Sequence, residues 1–150
     1  MAIHPAVLMA ELVMSIDRMI RSAQAAQTRT GEWSPQVILG HVSQVDEQVW
    51  IPRIHLMVEA HKTGAGVPEF AWWEPDPVQT EKMFANYTLD DAAAQAMSVR
   101  TNLLSVVKDL PSEAWAALAK HDEFGEIDVA GLLIQVLTHD EEHRASLLAD

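Results

Sequence analysis

Apolar residues return every three or four positions in four separate stretches of this chain, and nowhere does a sustained two-residue alternation compete with them. That periodicity turns each stretch into a helix with one apolar stripe, so the chain is expected to be all-α. In the first stretch, residues 6 to about 26, the stripe is Leu8, Leu12, Ile16, Met19, Ile20 and Ala23. Residues 28–31 form a polar break. Trp33-Ser34-Pro35 then opens a second helix, with Ser34 as cap, Pro35 in the first turn and Trp33 able to pack on Ile38. It runs to about residue 60, and Pro52 inside it should bend it by removing a backbone donor. Thr88 with Asp91 forms a capping box for a third helix that ends before Pro111. A short helical turn is expected around Trp115, and a fourth helix begins near Asp128 and carries Leu132, Leu133, Val136, Leu137, Leu147 and Leu148.

Four such helices make a four-helix bundle, and the connections decide its topology. Residues 62–87, with Gly64, Gly66, Pro68, Pro75 and Pro77, are far longer than a helix-to-helix turn requires. A link of that length can return the chain to the far end of the bundle. The second and third helices then run parallel, and the order is up-down-down-up. The 150 residues suffice for one domain, 1–150, and leave no room for a second.

Composition narrows the function. A formal net charge of -12 repels nucleic acid and anionic membranes, which need clustered Lys and Arg. With no cysteine, disulfides, thiolate metal ligands and a cysteine nucleophile are excluded, so any thiol chemistry must use a thiol from outside. No leader or long apolar run is evident, and the expected location is the cytoplasm.

Histidines interrupt the stripes. His139 and His143 stand four residues apart on the fourth helix, so both imidazoles can reach one ion. His41 lies among Ile38, Val42, Val45 and Val49 and projects inward, which makes it the natural third ligand. It sits roughly 9 Å into its helix, and His143 roughly 8 Å from the end of its own, so antiparallel packing brings all three level. His55 is about 21 Å further along and too distant to share the ion. His4, His55, His61 and His121 are read as structural, although the loop carrying His121 can fold back over the site. Arg100 and Asp140 each fall in the middle of an apolar stripe and should be buried. They either pair with each other, or Asp140 orients a metal ligand while Arg100 faces a bound anion. Trp50, Trp72 and Trp73 are expected to cap the bundle beneath the long connection rather than to line a ligand mouth.

These residues taken in order, Trp33-Ser34-Pro35, Leu39-Gly40-His41, Arg100, His121-Asp122-Glu123-Phe124-Gly125 and His139-Asp140-Glu141-Glu142-His143, resemble the DinB-like superfamily. The resemblance implies an up-down-down-up bundle, often a homodimer, holding a divalent metal with His41, His139 and His143. It also implies kinship with metal-dependent transferases and isomerases that use low-molecular-weight thiols, among them the N-terminal domain of mycothiol-dependent maleylpyruvate isomerase. Three neutral ligands leave the ion a free position, which is the catalytic pattern. Zinc or nickel suits imidazole. The expected activity is attack on a small-molecule substrate by an external thiol activated at the ion, with Arg100 and Asp140 as catalytic candidates. Two alternatives stand beside it: a hydrolase using metal-activated water with Asp140 or Glu142 as base, and a non-enzymatic dimer that binds metal or a small ligand. The His-x-x-Glu-His pattern of 139–143 also matches inverted zinc peptidases, but those need a further acidic ligand well downstream.

Overall fold

The computed structural model describes residues 3–26 and 32–149, so the polar break at 28–31 lies outside the described residues. Six helices are described: α1 (Pro5–Ala25), α2 (Pro35–Val45), α3 (Ile51–Thr63), α4 (Pro77–Phe84), α5 (Leu89–Lys108) and α6 (Val129–Leu148). A π-helical turn, Asp46–Trp50, joins α2 to α3 so that the two act as one long rod. Pro52 explains the turn. Its ring crowds the carbonyl four residues back, and a widened turn ahead of it relieves the clash without breaking the rod. The expected bend at Pro52 is thus taken up as a π turn.

Two buried apolar clusters fix the topology. One joins Met19 and Ala23 late in α1, Ile38 and Leu39 early in α2, Ala92 and Ala96 early in α5, and Leu147 at the end of α6. The other joins Leu8 and Leu12 early in α1, Ile54 and Met57 in α3, Leu103 and Val107 late in α5, and Leu132 and Leu133 early in α6. The α2–α3 rod and α5 therefore run parallel to each other and antiparallel to α1 and α6. This is the up-down-down-up four-helix bundle that the long connection implied.

The helix starts follow local chemistry. Thr88 Oγ1 accepts from the Asp91 amide at 3.0 Å, and Asp128 Oδ1 accepts from the Gly131 amide at 2.8 Å. His4 caps α1, its Nδ1 accepting from the Ala6 amide. Ser34 occupies the cap position of α2 with extended backbone, yet its side chain makes no capping bond; Pro35 alone supplies the start.

Two features depart from the all-helical expectation. The connection at 62–87 folds, contributing α4, and a small sheet forms in the order β1 (Glu69–Phe70), β2 (Leu118–His121), β3 (Gly125–Asp128). β1 runs parallel to β2, and β2 antiparallel to β3. Segments of two to four residues are too short for an alternation to register against their neighbours. α4 docks on α2 through Gly40, where an added Cβ would lie 2.3 Å from the Phe84 ring. Only glycine admits that ring beside His41. Among the described residues no helix is long and apolar enough to cross a membrane.

Candidate metal centre and cavity

His41, on α2, and His139 and His143, one turn apart on α6, converge. One nitrogen from each lies within 4.8 Å of the others, and His139 Nε2 and His143 Nε2 are 3.1 Å apart. The rings meet edge to face, with centroids 4.8 Å apart for His41 and His143 and 5.3 Å for His41 and His139. Burial pulls the pKa of each imidazole down to about 4, and a neighbouring imidazole of the trio adds to the effect in each case. All three rings are therefore neutral at pH 7, and each carries one unprotonated nitrogen that could serve an ion. Gln44, one turn beyond His41, accepts from its Nδ1 at 3.4 Å and also from the Thr80 hydroxyl on α4. That contact puts the His41 proton on Nδ1 and turns Nε2 into the donor atom. Three neutral imidazoles gathered in this way suit a borderline divalent ion, for which imidazole nitrogen is a common ligand.

The cluster opens onto a cavity of about 540 Å³. Trp33, Trp50, Trp72, Trp73 and Phe124 supply its aromatic walls, and Glu142 lies on it beside His143. Trp33 and Trp50 approach the histidines directly, with centroids 5.1 Å from His41 and 6.2 Å from His139. Trp50 packs in the core and Trp73 against it, as expected of residues that cap the bundle, and with Trp72 they also line the cavity. His121, read as structural from sequence, also lines the cavity, as does Arg53.

Arg100 and Asp140 lie beneath the cavity and do not line it. The Arg100 side chain is wholly buried and all five of its N–H groups are engaged. Nε and Nη2 donate to Asp46, Nη1 to the Leu12 carbonyl, and Nη1 and Nη2 to Asp140 at 2.8 and 2.9 Å. Asp140 Oδ2 additionally accepts from Ser15 Oγ at 2.7 Å. Of the two expectations for this pair, mutual pairing is the one found. No donor of Arg100 remains for a substrate anion, and the Asp140 oxygens are taken by Arg100 and Ser15 rather than by a histidine. Burial and the nearby Asp140 push the Asp46 carboxyl up to about 6 against the pull of Arg100, while the two carboxylates raise Arg100 further.

Sequence reasoning missed Asp46, Ser15, Gln44, Thr80 and Arg53. Asp46 carried a legible signal, since it interrupts the stripe of Val42, Val45 and Val49 just as Arg100 interrupts its own. α4 carried one too, in the Asp76-Pro77 start, where Asp76 Oδ1 accepts from two amides.

An up-down-down-up bundle that gathers three neutral imidazoles at the wall of an aromatic cavity defines a class of helical proteins with a candidate metal centre. A family model described as the DinB superfamily matches residues 6–147, and the chain belongs to that superfamily. Comparison with curated proteins gave no match. Among solved structures, YfiT from Bacillus subtilis is described as a probable metal-dependent hydrolase with an unusual four-helix bundle topology. It superposes with a TM-score of 0.70 over 96% of this chain and 83% of YfiT, at 14% identity. At that identity the likeness establishes the shared fold.

Proposed function

We propose that this chain is a divalent-metal-dependent enzyme in which His41, His139 and His143 hold the ion and a small-molecule electrophile with an apolar body is hydrolysed in the adjoining cavity. The observation that carries this is the opening of the three-imidazole cluster onto a cavity within the usual size range of small-molecule sites, about 300–1,000 Å³. Zinc or nickel, ions that imidazole suits, would supply Lewis acidity there when held by His41, His139 and His143. The remaining work falls to the chain. Gln44 holds His41 in the required tautomer. Glu142, on the cavity and next in sequence to His143, takes the proton of the attacking water. The tryptophans exclude bulk solvent and hold the apolar body of the substrate. Arg100 and Asp140 act as positioning residues beneath the ligands. The description of YfiT as a probable metal-dependent hydrolase supports the same direction.

Thiol-dependent transfer is the second reading. The absence of cysteine favours an external thiol as the nucleophile for any such route. Arg100 has no free donor for a carboxylate of the thiol or of the electrophile, so on either route it acts from beneath the cavity.

The test begins with metal analysis of the wild type, His41→Ala and His143→Ala; equal content in all three would refute the metal site. Metal-loaded protein is then assayed against esters and amides, with and without a panel of low-molecular-weight thiols. Turnover without thiol carries hydrolysis, and turnover only with thiol carries transfer. Metal retention without either leaves a binding dimer.

A further inference from the structure

The cavity has a second polar wall, built by the sheet and α3 rather than by α2 and α6. At the end of β2, His121 is almost fully buried and stacks on Phe124, with ring centroids 4.2 Å apart. Its Nδ1 accepts from the amides of Glu123 at 3.0 Å and Phe124 at 3.3 Å. Two backbone donors converging on one nitrogen require a lone pair there, even with Asp122 Oδ1 at 3.1 Å. The ring proton therefore sits on Nε2, which has no hydrogen-bond partner among the described residues. Burial and nearby Arg53 lower the His121 pKa and keep the ring neutral, so this N–H persists at pH 7.

Arg53 stands in the same wall. One Nη2 donor goes to the Ala71 carbonyl at 2.7 Å, and the guanidinium lies over the Phe70 ring, 4.8 Å from its centroid. Its other donors have no partner among the described residues. The nearby carboxylate, Asp122, is held by the Trp72 amide through both oxygens, at 2.9 and 3.0 Å. Arg53 is thus a cavity-facing cation without a salt bridge among the described residues, in a chain whose net charge is -12. A neutral N–H donor and a cation with spare donors, set among aromatic rings, match a carboxylate on an apolar or aromatic body.

We propose that His121 and Arg53 form a carboxylate-anchoring subsite, with the His121 Nε2–H and the spare Arg53 donors binding the carboxylate of an aromatic acid whose ring lies among the tryptophans. This rests on reading the cavity as the substrate site, and it names the substrate class as an electrophile that also bears a carboxylate.

The test uses metal-free full-length protein, so that a carboxylate on the metal cannot imitate the result. Phenylacetate and phenylacetamide are titrated, with indole resonances and tryptophan fluorescence as readouts. The wild type should bind phenylacetate at least tenfold more tightly. Arg53→Met should bring the two probes to parity. His121→Asn keeps an acceptor for the Glu123 and Phe124 amides but loses the distal donor, and should weaken phenylacetate about tenfold, the worth of one hydrogen bond to a charged group. His121→Gln restores a donor at that distance and should recover most of the loss. Metal content of each variant as purified, before the metal is stripped, should stay at the wild-type level in all three variants; a chain that never retains metal fails the hydrolase reading while the binding series still reports on the subsite. Equal affinity of the wild type for the two probes, or unchanged phenylacetate binding in His121→Asn, would overturn the proposal.

Discussion

Replacing Arg100 by Met tests whether the buried charges hold the bundle together. The substitution keeps an unbranched side chain of similar reach but removes all five N–H donors, leaving Asp46 and Asp140 buried without a cation. Stranding one partner of a buried ion pair costs about 3–5 kcal/mol. Here two carboxylates are stranded together, and the fold limits the penalty by protonating at least one of them. Asp46 already stands near 6 with Arg100 present, and losing the cation moves it higher. A loss of about 4 kcal/mol at pH 7 follows, and at about 3 °C per kcal/mol for a chain of this length Tm falls by roughly 12 °C. The sign with pH is fixed by the protons bound. In the variant folded Asp46 titrates above its unfolded value, so the folded state holds more protons and stability falls as pH rises from about 4 through neutrality. The difference between variant and wild type should therefore be larger at pH 7 than at pH 5. Adding Asp46→Asn to Arg100→Met should recover about half of the loss. Scanning calorimetry at the two pH values is the assay. A variant within 1 kcal/mol of the wild type at pH 7, or a penalty equal at pH 5 and 7, would refute the reasoning.

Glu142→Gln should lower metal-dependent turnover by about 10²–10⁴ while leaving metal content unchanged, the range expected for loss of a general base; parallel kinetics and metal analysis check it. Metal-free wild type should gain stability as pH rises from about 4 to 6.5. Over that window the unfolded chain protonates His41, His139 and His143, which the fold keeps neutral, whereas the fold protonates Asp46; that set gives 3 - 1 = 2 protons and a slope of at least about 2–3 kcal/mol per pH unit, to which the lowered His121 adds in the same direction. Urea midpoints across the window report it, and a flat or falling profile contradicts it. Gly40→Ala should destabilise by about 1–3 kcal/mol, because the added methyl meets the Phe84 ring at 2.3 Å and outweighs the better helix propensity of Ala; Phe84→Leu in the same chain should restore part of the loss. The homodimer implied by family resemblance predicts elution near twice the monomer mass at micromolar concentration, and elution as a monomer counts against it.

Periodicity made the four main helices legible because each buries a continuous stripe, and a stripe is a repeated signal. His41, His139 and His143 were legible for the same reason: a polar residue in a stripe must either be satisfied internally or serve chemistry. The sheet escaped notice because its strands are set by tertiary pairing, Phe70 beside His121 and Leu118 beside Asp128, with too few residues to show a period. The polar wall escaped for a related reason. His121 and Arg53 are brought together by that sheet, and neither lies in a stripe whose interruption announces it. Arg100 and Asp140 were legible as buried but ambiguous in role, because burial reports the need for partners and not their identity.

The ionic layer has a consequence for the histidines that apolar packing alone would not supply. The Leu12 carbonyl on α1, Asp46 on the π turn and Asp140 on α6 all meet at the Arg100 guanidinium of α5, and Ser15 on α1 donates to Asp140, so the four rods of the bundle share a single point. Apolar stripes tolerate axial sliding, since one leucine replaces another at little cost, whereas hydrogen bonds of 2.7–3.3 Å weaken steeply when displaced. Asp140 follows His139 directly, and Asp46 lies little more than one turn beyond His41. Fixing those two carboxylates on Arg100 therefore fixes the height of α2 against α6, and with it the convergence of the imidazoles. This gives α5, which contributes no residue to the cavity wall, its place in the site: it carries the cation against which the ligand-bearing helices are registered.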